Sequence, residues 1–503
     1  MKTRSLASAA ALMLAAGMTR ANAQTRTDAP DWAAFDKYVA NAAKAWRVPA
    51  LAIAIVKDDS LVFAKGYGVL ETGTTKPADA HTRFAIGSTT KAMTSAALAM
   101  LVDEGKIRWD EHVIDILPEF QLWDPYVTRE LTIRDLLTHR SGLAGTDLLW
   151  ALNGYTMPEM MRRLRYVKPT TSFRSEWQYQ NNMYAIGGVI VERVSGMSWD
   201  AFIRSRIFVP LGMTESEPLV SMIKGKPNVS VPHVLRNDTV RVVPMRSTDA
   251  IAPAGSVWSS VTDMSKWMRF ILDSGRVGSQ RLITVANFRE LITPQIRAPI
   301  NEYPALQLAR PTFFSYGLGW FVQDYQGQAV WMHTGSIDGE IAIIGLMPQK
   351  RVGVYVLGNL DHAELRHALM YAGFDLYNGG PKRDWSAEVQ ALFASMRRGG
   401  GGGAGQPARR SDAKPSLPLE KYVGTYADSA YGTVAVTLSA NTLHAKIITQ
   451  PDAELEYVDY ETFRTRSADP TDGQTPVTFV PDGAGNVTGV RVLGIVFGRV
   501  RTR

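Results

Sequence analysis

The sequence predicts a mixed α/β domain on an antiparallel sheet, tethered to a small all-β module. Three observations carry this. Apolar strand-like runs occur near the start of the chain and again at 329–359, with helical spacing between them. Five consecutive glycines, Gly399 to Gly403, then interrupt the pattern. Beyond them only short alternating segments with Gly, Asp and Asn turns remain.

At 503 residues the chain exceeds one hydrophobic core and calls for a large domain plus a smaller one. Apolar residues at 45% and charged residues at 20% exclude a disordered, collagenous or polytopic membrane chain. Met1, Lys2 and Arg4 precede an apolar run from Leu6 to Met18, and Ala21-Asn22-Ala23 has the small-x-small form of a cleavage site. Residues 1–23 therefore read as a secretory signal peptide, too short in its apolar core to span a bilayer. No later stretch reaches eighteen uninterrupted apolar residues, so the mature chain is expected to be soluble, periplasmic or secreted. The absence of cysteine excludes disulfides, a thiolate nucleophile or metal ligand, and a lipidated N-terminal cysteine. Processing removes Lys2, Arg4 and Arg20 and no acid, so the formal charge falls from +7 to +4. That charge, with no basic block, gives no ground for nucleic-acid binding.

Trp32 to Trp46 has helical apolar spacing. Leu51 to Val56 reads as a buried strand, Asp58-Asp59-Ser60 as a turn, and Leu61 to Gly66 as a returning strand. Ser88 to Val102 is apolar on nearly every face after its first turn, which makes it a core helix. Leu131 to Leu137 and Tyr184 to Val194 read as further helices, and Ser260 with Asp263 has capping-box spacing before Met264 to Leu272. Three apolar runs between Ala329 and Asn359 form a meander, so the sheet draws strands from both ends of the domain. Arg397 to Pro418, rich in Gly, Pro and Arg, reads as a flexible linker. The organisation is thus a signal peptide at 1–23, a hydrolase-sized domain at 24–396, a linker at 397–418 and an all-β module at 419–503.

A serine hydroxyl needs a base to become a nucleophile, and a lysine three residues on along a helix shares its face. Ser88-Thr89-Thr90-Lys91 has that form, but so do Ser221-Met222-Ile223-Lys224 and Ser411-Asp412-Ala413-Lys414. The second runs into Gly225 and Pro227, and the third lies in the linker. Only Ser88 opens a long apolar helix, where backbone N–H groups favour developing negative charge and Lys91 has almost no polar face to leave by. A lysine held there is desolvated toward its neutral, basic form. Tyr179-Gln180-Asn181 is the only Tyr-x-Asn in the chain, and His333-Thr334-Gly335-Ser336 closes a strand at a turn.

In this order, Ser88-x-x-Lys91, Tyr179-x-Asn181 and His333-x-Gly335 resemble the three motifs of the serine β-lactamase, penicillin-binding protein and esterase superfamily, closest to class C β-lactamases and their hydrolase relatives. LTIRDLLTHRSGL (131–143), YQNNMYAIGGVIVERVSG (179–196), PAGSVWSSVTDMSKW (253–267) and YGLGW (316–320) extend the likeness, which covers roughly 32–380. The C-terminal module resembles the lipocalin-like appendage of some of these hydrolases. The resemblance implies a β-lactamase/transpeptidase-like antiparallel sheet flanked by helices, with a helical lobe and the cleft between them. It implies Ser88 as the acylated nucleophile, Lys91 and Tyr179 sharing its proton, and Asn181 holding the substrate amide or Lys91. The N–H groups of Ser88 and Ser336 would form the oxyanion hole, on an edge strand beside the nucleophile. His333 is expected in the catalytic set, with a buried structural histidine at the strand end as the alternative, and stands where many β-lactamases and transpeptidases carry a lysine. A mostly neutral histidine gives no permanent charge for a substrate carboxylate, which tilts the reading toward an esterase, amidase or D-amino-acid peptidase.

Thr334, Gly335, Trp331 and Trp150 are candidates for the substrate cleft, although core packing is the commoner fate of tryptophan, Trp258 and Trp320 included. The other histidines have no metal-ligand spacing, and His139 reads as a hydrogen-bonded core residue. The expected protein is therefore a metal-free, cofactor-free exported serine hydrolase acting on a small-molecule or peptide acyl substrate. A β-lactamase or DD-carboxypeptidase, and a non-catalytic binding protein on the same fold, stay open as alternatives. Oligomeric state is not legible.

Overall fold

The computed structural model describes residues 29–379, 383–398, 414–466 and 474–501. The signal-peptide segment 1–23 and most of the linker lie outside the described residues.

Helix α1 (Trp32–Ala45) is capped by the Asp31 carboxylate, which accepts from the N–H of Ala34 at 2.9 Å. Strands β1 (Ala50–Lys57) and β2 (Ser60–Gly68) form the expected hairpin. The rest of the sheet comes from the far end of the domain: β3 (Ile296–Arg297), β4 (Phe314–Tyr316), β5 (Phe321–Tyr325), β6 (Gln328–Ile337), β7 (Glu340–Met347) and β8 (Val352–Gly358). The order β2-β1-β8-β7-β6-β5-β4-β3 is antiparallel throughout. The predicted meander is β6-β7-β8, and pairing of β1 with β8 joins the two chain ends.

Strand β1 is an unbroken apolar run because both faces of the sheet are covered. Ala50, Ala52, Ala54 and Val56 point into one core with the helical lobe, while Leu51, Ile53 and Ile55 point into a second core under α1 and the later helices 365–378 and 385–398. The helix 385–398 takes in Arg397 and Arg398, the first two residues of the expected linker.

The lobe holds helix α2 (Lys91–Asp103), with every residue from Lys91 to Leu101 buried, and α3 (Asn181–Ser195), ended by Gly196 in the left-handed region at φ +73°. Two expected elements are altered. The helix expected from Leu131 contracts to Ile133–Leu136, where Thr132 and Asp135 form a reciprocal capping box. Helix α4 (Val261–Leu272) has only half of its box. Ser260 accepts from the N–H of Asp263 at 3.1 Å, but the Asp263 carboxylate turns away to Glu215 N–H, the Ser216 hydroxyl and Lys266. Tertiary partners outcompete the local return bond.

The C-terminal module is a closed barrel of eight antiparallel strands from Gly424–Asp428 to Ile495–Arg499. Tyr422, Tyr426, Phe463 and Phe479 fill its interior. It docks on the lobe: Arg163 donates to the carbonyls of Ser429 and Ala430 at 2.9 and 3.1 Å, and the Thr449 hydroxyl donates to the Leu152 carbonyl.

Candidate active site

Ser88 does not begin the α-helix. Gly87–Thr90 form a 3-10 turn that runs straight into α2 at Lys91. Backbone crowding explains the turn. Gly87 is at φ +49°, and a Cβ there would lie 2.7 Å from Ser336 N; a Cβ on Gly335 would lie 2.0 Å from the Ile86 carbonyl oxygen and 3.1 Å from Ser88 N. Two glycines thus let the Ser88 turn and the end of β6 touch backbone to backbone. The same approach sets the backbone nitrogen of Ser336 against Gly87 and that of Ser88 against Gly335. Strand β6 is not an edge strand as a whole, but β5 pairs only with residues 328–332, so residues 333–337 are bonded on the β7 side alone.

The three expected side chains converge. Lys91 Nζ lies 2.9 Å from Ser88 Oγ and donates to Asn181 Oδ1 at 2.6 Å and to the Ala254 carbonyl at 2.9 Å. Tyr179 donates its hydroxyl to Ser88 Oγ at 2.7 Å. Ser88 itself is half-buried and open to the cleft, whereas Lys91 has no exposure. Burial lowers the Lys91 pKa to about 7, against the opposing charge of Asp147. Burial of the Tyr179 phenol pushes its pKa up, well above the usual value, although its bond to Ser88 works the other way. Near neutral pH the amine can therefore take a proton while the phenol keeps its own.

Of the residues that hold this trio, sequence reasoning gave His139 only as a hydrogen-bonded core residue, which it is, and missed Asp147 and Arg366. His139 is buried at φ +57°; its carbonyl accepts from Gln178 N–H at 2.6 Å and its Nδ1 accepts from Gln180 N–H at 3.0 Å. Its ring lies 4.4 Å from that of Tyr179, so one residue clamps the backbone on both sides of the phenol and supports its face. Asp147 accepts from Asn181 Nδ2 and Trp150 Nε1, both at 3.0 Å, and so orients the amide that faces Lys91. Arg366 donates to the Gly335 carbonyl at 2.6 Å and to Ser336 Oγ at 2.7 Å, pinning the motif strand. No spacing rule links positions 139, 147 and 366 to the motifs.

The cleft has a volume of ≈ 600 Å³ and runs from Ser88, Tyr179 and Asn181 to Glu302, Tyr303, Thr334, Ser336 and Arg366. A smaller recess of ≈ 140 Å³ on the other side of Ser88 includes Trp150 and Arg246. Thr334 and Trp150 are thus on the walls, and Gly335 lies in the floor against Ser88. Two expectations need correction. Trp331 lines neither space; it packs against Phe288, 5.8 Å between rings, because odd residues of this stretch of β6 face the lobe core. His333 has no exposure and does not reach the cleft. Its Nδ1 donates to the Thr334 carbonyl at 2.6 Å and its Nε2 accepts from the Tyr316 hydroxyl at 2.9 Å, while burial and Lys91 lower its pKa to about 3. It is a neutral buried residue behind the site. Among the described residues no cluster of three His, Cys, Asp or Glu could hold a metal ion, and no helix is long and apolar enough to cross a membrane.

Comparison with known proteins places this geometry. The chain is 27% identical over 446 residues to an unguisins hydrolase of Aspergillus violaceofuscus, covering 82% of this chain and 78% of that protein. It is 29% identical over 317 residues to penicillin-binding protein 4 of Amycolatopsis lactamdurans, covering 62% and 81%. Its fold resembles that of the octameric penicillin-binding protein homologue from Pyrococcus abyssi, at a TM-score of 0.62 and 21% identity over 93% of this chain and 99% of that one. It likewise resembles SurE, at 0.54 and 21% over 93% and 99%. A model for a domain of unknown function, DUF3471, matches residues 408–496, which take in the barrel up to the start of its last strand. The beta-lactamase model matches residues 35–376, two thirds of the chain and the whole of the motif-bearing region, so this protein belongs to the serine β-lactamase-related family and is a serine hydrolase of that type.

Proposed function

We propose that this enzyme cleaves an ester or amide through an acyl-enzyme on Ser88. The carrying observation is that Ser88 Oγ sits between a buried amine with a pKa of about 7 and a phenol held protonated. In the proposed cycle neutral Lys91 accepts the hydroxyl proton as Ser88 Oγ bonds to the substrate carbonyl carbon. The N–H groups of Ser88 and Ser336 receive the oxyanion, a role supported by their adjacency across Gly87 and Gly335. Tyr179 protonates the leaving group and regains a proton from Lys91. Water then attacks the acyl carbon by the reverse relay and frees the acid. Asn181 is assigned to hold Lys91, with the substrate amide as its second partner.

Export to the periplasm or medium belongs to the same proposal, supported by the signal-like residues 1–23, and a mature N-terminus after Ala23 is the expected result. So do the boundaries 24–396, 397–418 and 419–503; cleavage by a protease between 399 and 413 that releases an intact barrel would bear them out. The reading is tested by intact mass spectrometry after exposure to p-nitrophenyl esters, D-aminoacyl anilides and cephalosporins. A mass gain that maps to Ser88 is expected from the first two classes. Stable acylation by cephalosporins alone would move the substrate to β-lactams, and a protein that no reagent acylates would support a binding role on this fold.

A further inference from the structure

The charges around the cleft are almost all committed to each other. Asp147 accepts from Asn181 and Trp150. Arg366, 3% exposed, gives one terminal nitrogen to Gly335 and Ser336 and the other to Glu364 at 2.9 Å. Burial would raise the Glu364 pKa, yet Arg366 and His367 hold it down at about 2, so this pair is a closed unit. Arg246, at the rim of the smaller recess, pairs with Asp338 at 2.8 Å. His333, at the position where a lysine would supply a cation, is neutral and out of reach.

Glu302 is different. It lines the cleft with Ser88, is half-buried, and no side chain among the described residues bonds or pairs with it. Its position is well defined. Its N–H donates to the Pro299 carbonyl at 3.0 Å, and the Tyr303 hydroxyl next to it bonds Thr334 on the motif strand at 2.8 Å. Partial burial raises the Glu302 pKa, with no cation acting in the other direction. A carboxylate kept partly from water and left without a partner is a standing preference for a cation in the space it faces. For a substrate carboxylate the same wall offers like charge, and beyond the committed Arg366 its one titratable nitrogen base is the exposed imidazole of His362, 3.9 Å from Asp361.

We propose that Glu302 is a specificity residue that receives a primary ammonium group on the acyl substrate, so that the cleft selects cationic over anionic acyl compounds. This rests on the Ser88 acyl-enzyme reading. The carboxylate accepts N–H bonds from the ammonium while the scissile carbonyl lies between Ser88 Oγ and the two backbone N–H groups. The preference disappears when the amine loses its proton.

The test uses the full chain and three matched sets: alanine p-nitroanilides of both hands with the amine free, acetylated or succinylated. The free-amine compounds are expected to exceed the acetylated ones in kcat/KM by about tenfold or more, the worth of one charge-assisted hydrogen bond, with the succinylated ones slowest. Glu302→Gln should lower the ratio of cationic to neutral kcat/KM by a similar factor, and Glu302→Asp should keep part of it. In the native enzyme the ratio should fall as pH rises through about 8, where α-amino groups deprotonate. A ratio unchanged in Glu302→Gln, or a preference for the succinylated compounds, overturns the proposal while leaving acylation of Ser88 standing. Failure of every anilide and of p-nitrophenyl acetate to acylate the protein overturns both.

Discussion

Ser88-x-x-Lys91 and Ser221-x-x-Lys224 are identical as motifs and opposite as chemistry. At the first, a 3-10 turn feeds a thirteen-residue buried helix, and the lysine amine is drawn onto the serine oxygen. At the second, the helix is four residues long, Lys224 has already left it at ψ 130°, and both side chains are exposed. The Ser221 N–H bonds to the Asp249 carboxylate, so that serine helps to close a surface turn. Residue type and spacing are shared; burial is not. Desolvation brings the Lys91 amine near its neutral form at physiological pH.

Substitutions at the two serines test this contrast most severely. Ser88→Ala should abolish acylation and lower kcat by on the order of 10⁵-fold, while Ser221→Ala leaves both intact; esterase assays and labelling by a fluorophosphonate probe read the difference. Equal losses at the two positions would dissolve the contrast. Tyr179→Phe keeps the ring against His139 but removes the proton donor, so kcat should fall by about 10²- to 10³-fold, with a smaller loss for leaving groups that need no protonation.

The pH profile sharpens the role of burial. In the proposed cycle Lys91 is needed as the unprotonated amine, so kcat/KM should rise with pH through about 7 and fall below it. The Asp147 charge raises the Lys91 pKa, so removing it in Asp147→Asn should move the acid limb to lower pH. An unmoved limb would mean that Asp147 is not felt at Lys91. The smallest effect is expected at the rim. Trp150→Phe removes one of the two donors to Asp147 and should cost less than about tenfold in kcat/KM, the range of a single hydrogen bond.

Much of the fold was legible because each element obeyed a local rule. The hairpin β1-β2 and the meander β6-β7-β8 appear where periodicity put them, the lobe helices appear with shifted or shortened ends, and the barrel lies where short alternating runs begin. The errors have a common form. Val261–Leu272 lost half its capping box because Glu215, Ser216 and Lys266 claimed Asp263 from outside the local segment. Trp331 was placed on the cleft and His333 in the catalytic set by their closeness to the motif in sequence, whereas strand alternation packs Trp331 against Phe288 and Tyr316 holds His333 in the interior.

The amino-acid order by itself determined which serine could be activated, since only one Ser-x-x-Lys enters a helix with no polar face, and which tyrosine and strand would accompany it. Only the tertiary structure decided what stands around them. His139, Asp147, Glu302 and Arg366 come from four separate loops and elements; the first two and Arg366 meet the site through distances of about 3 Å between groups tens of residues apart, and Glu302 through its place on the cleft wall. Periodicity reports which face of an element avoids water. It carries no information on which polar group from another segment will meet that face, because hydrogen bonds and charges are decided by position in space.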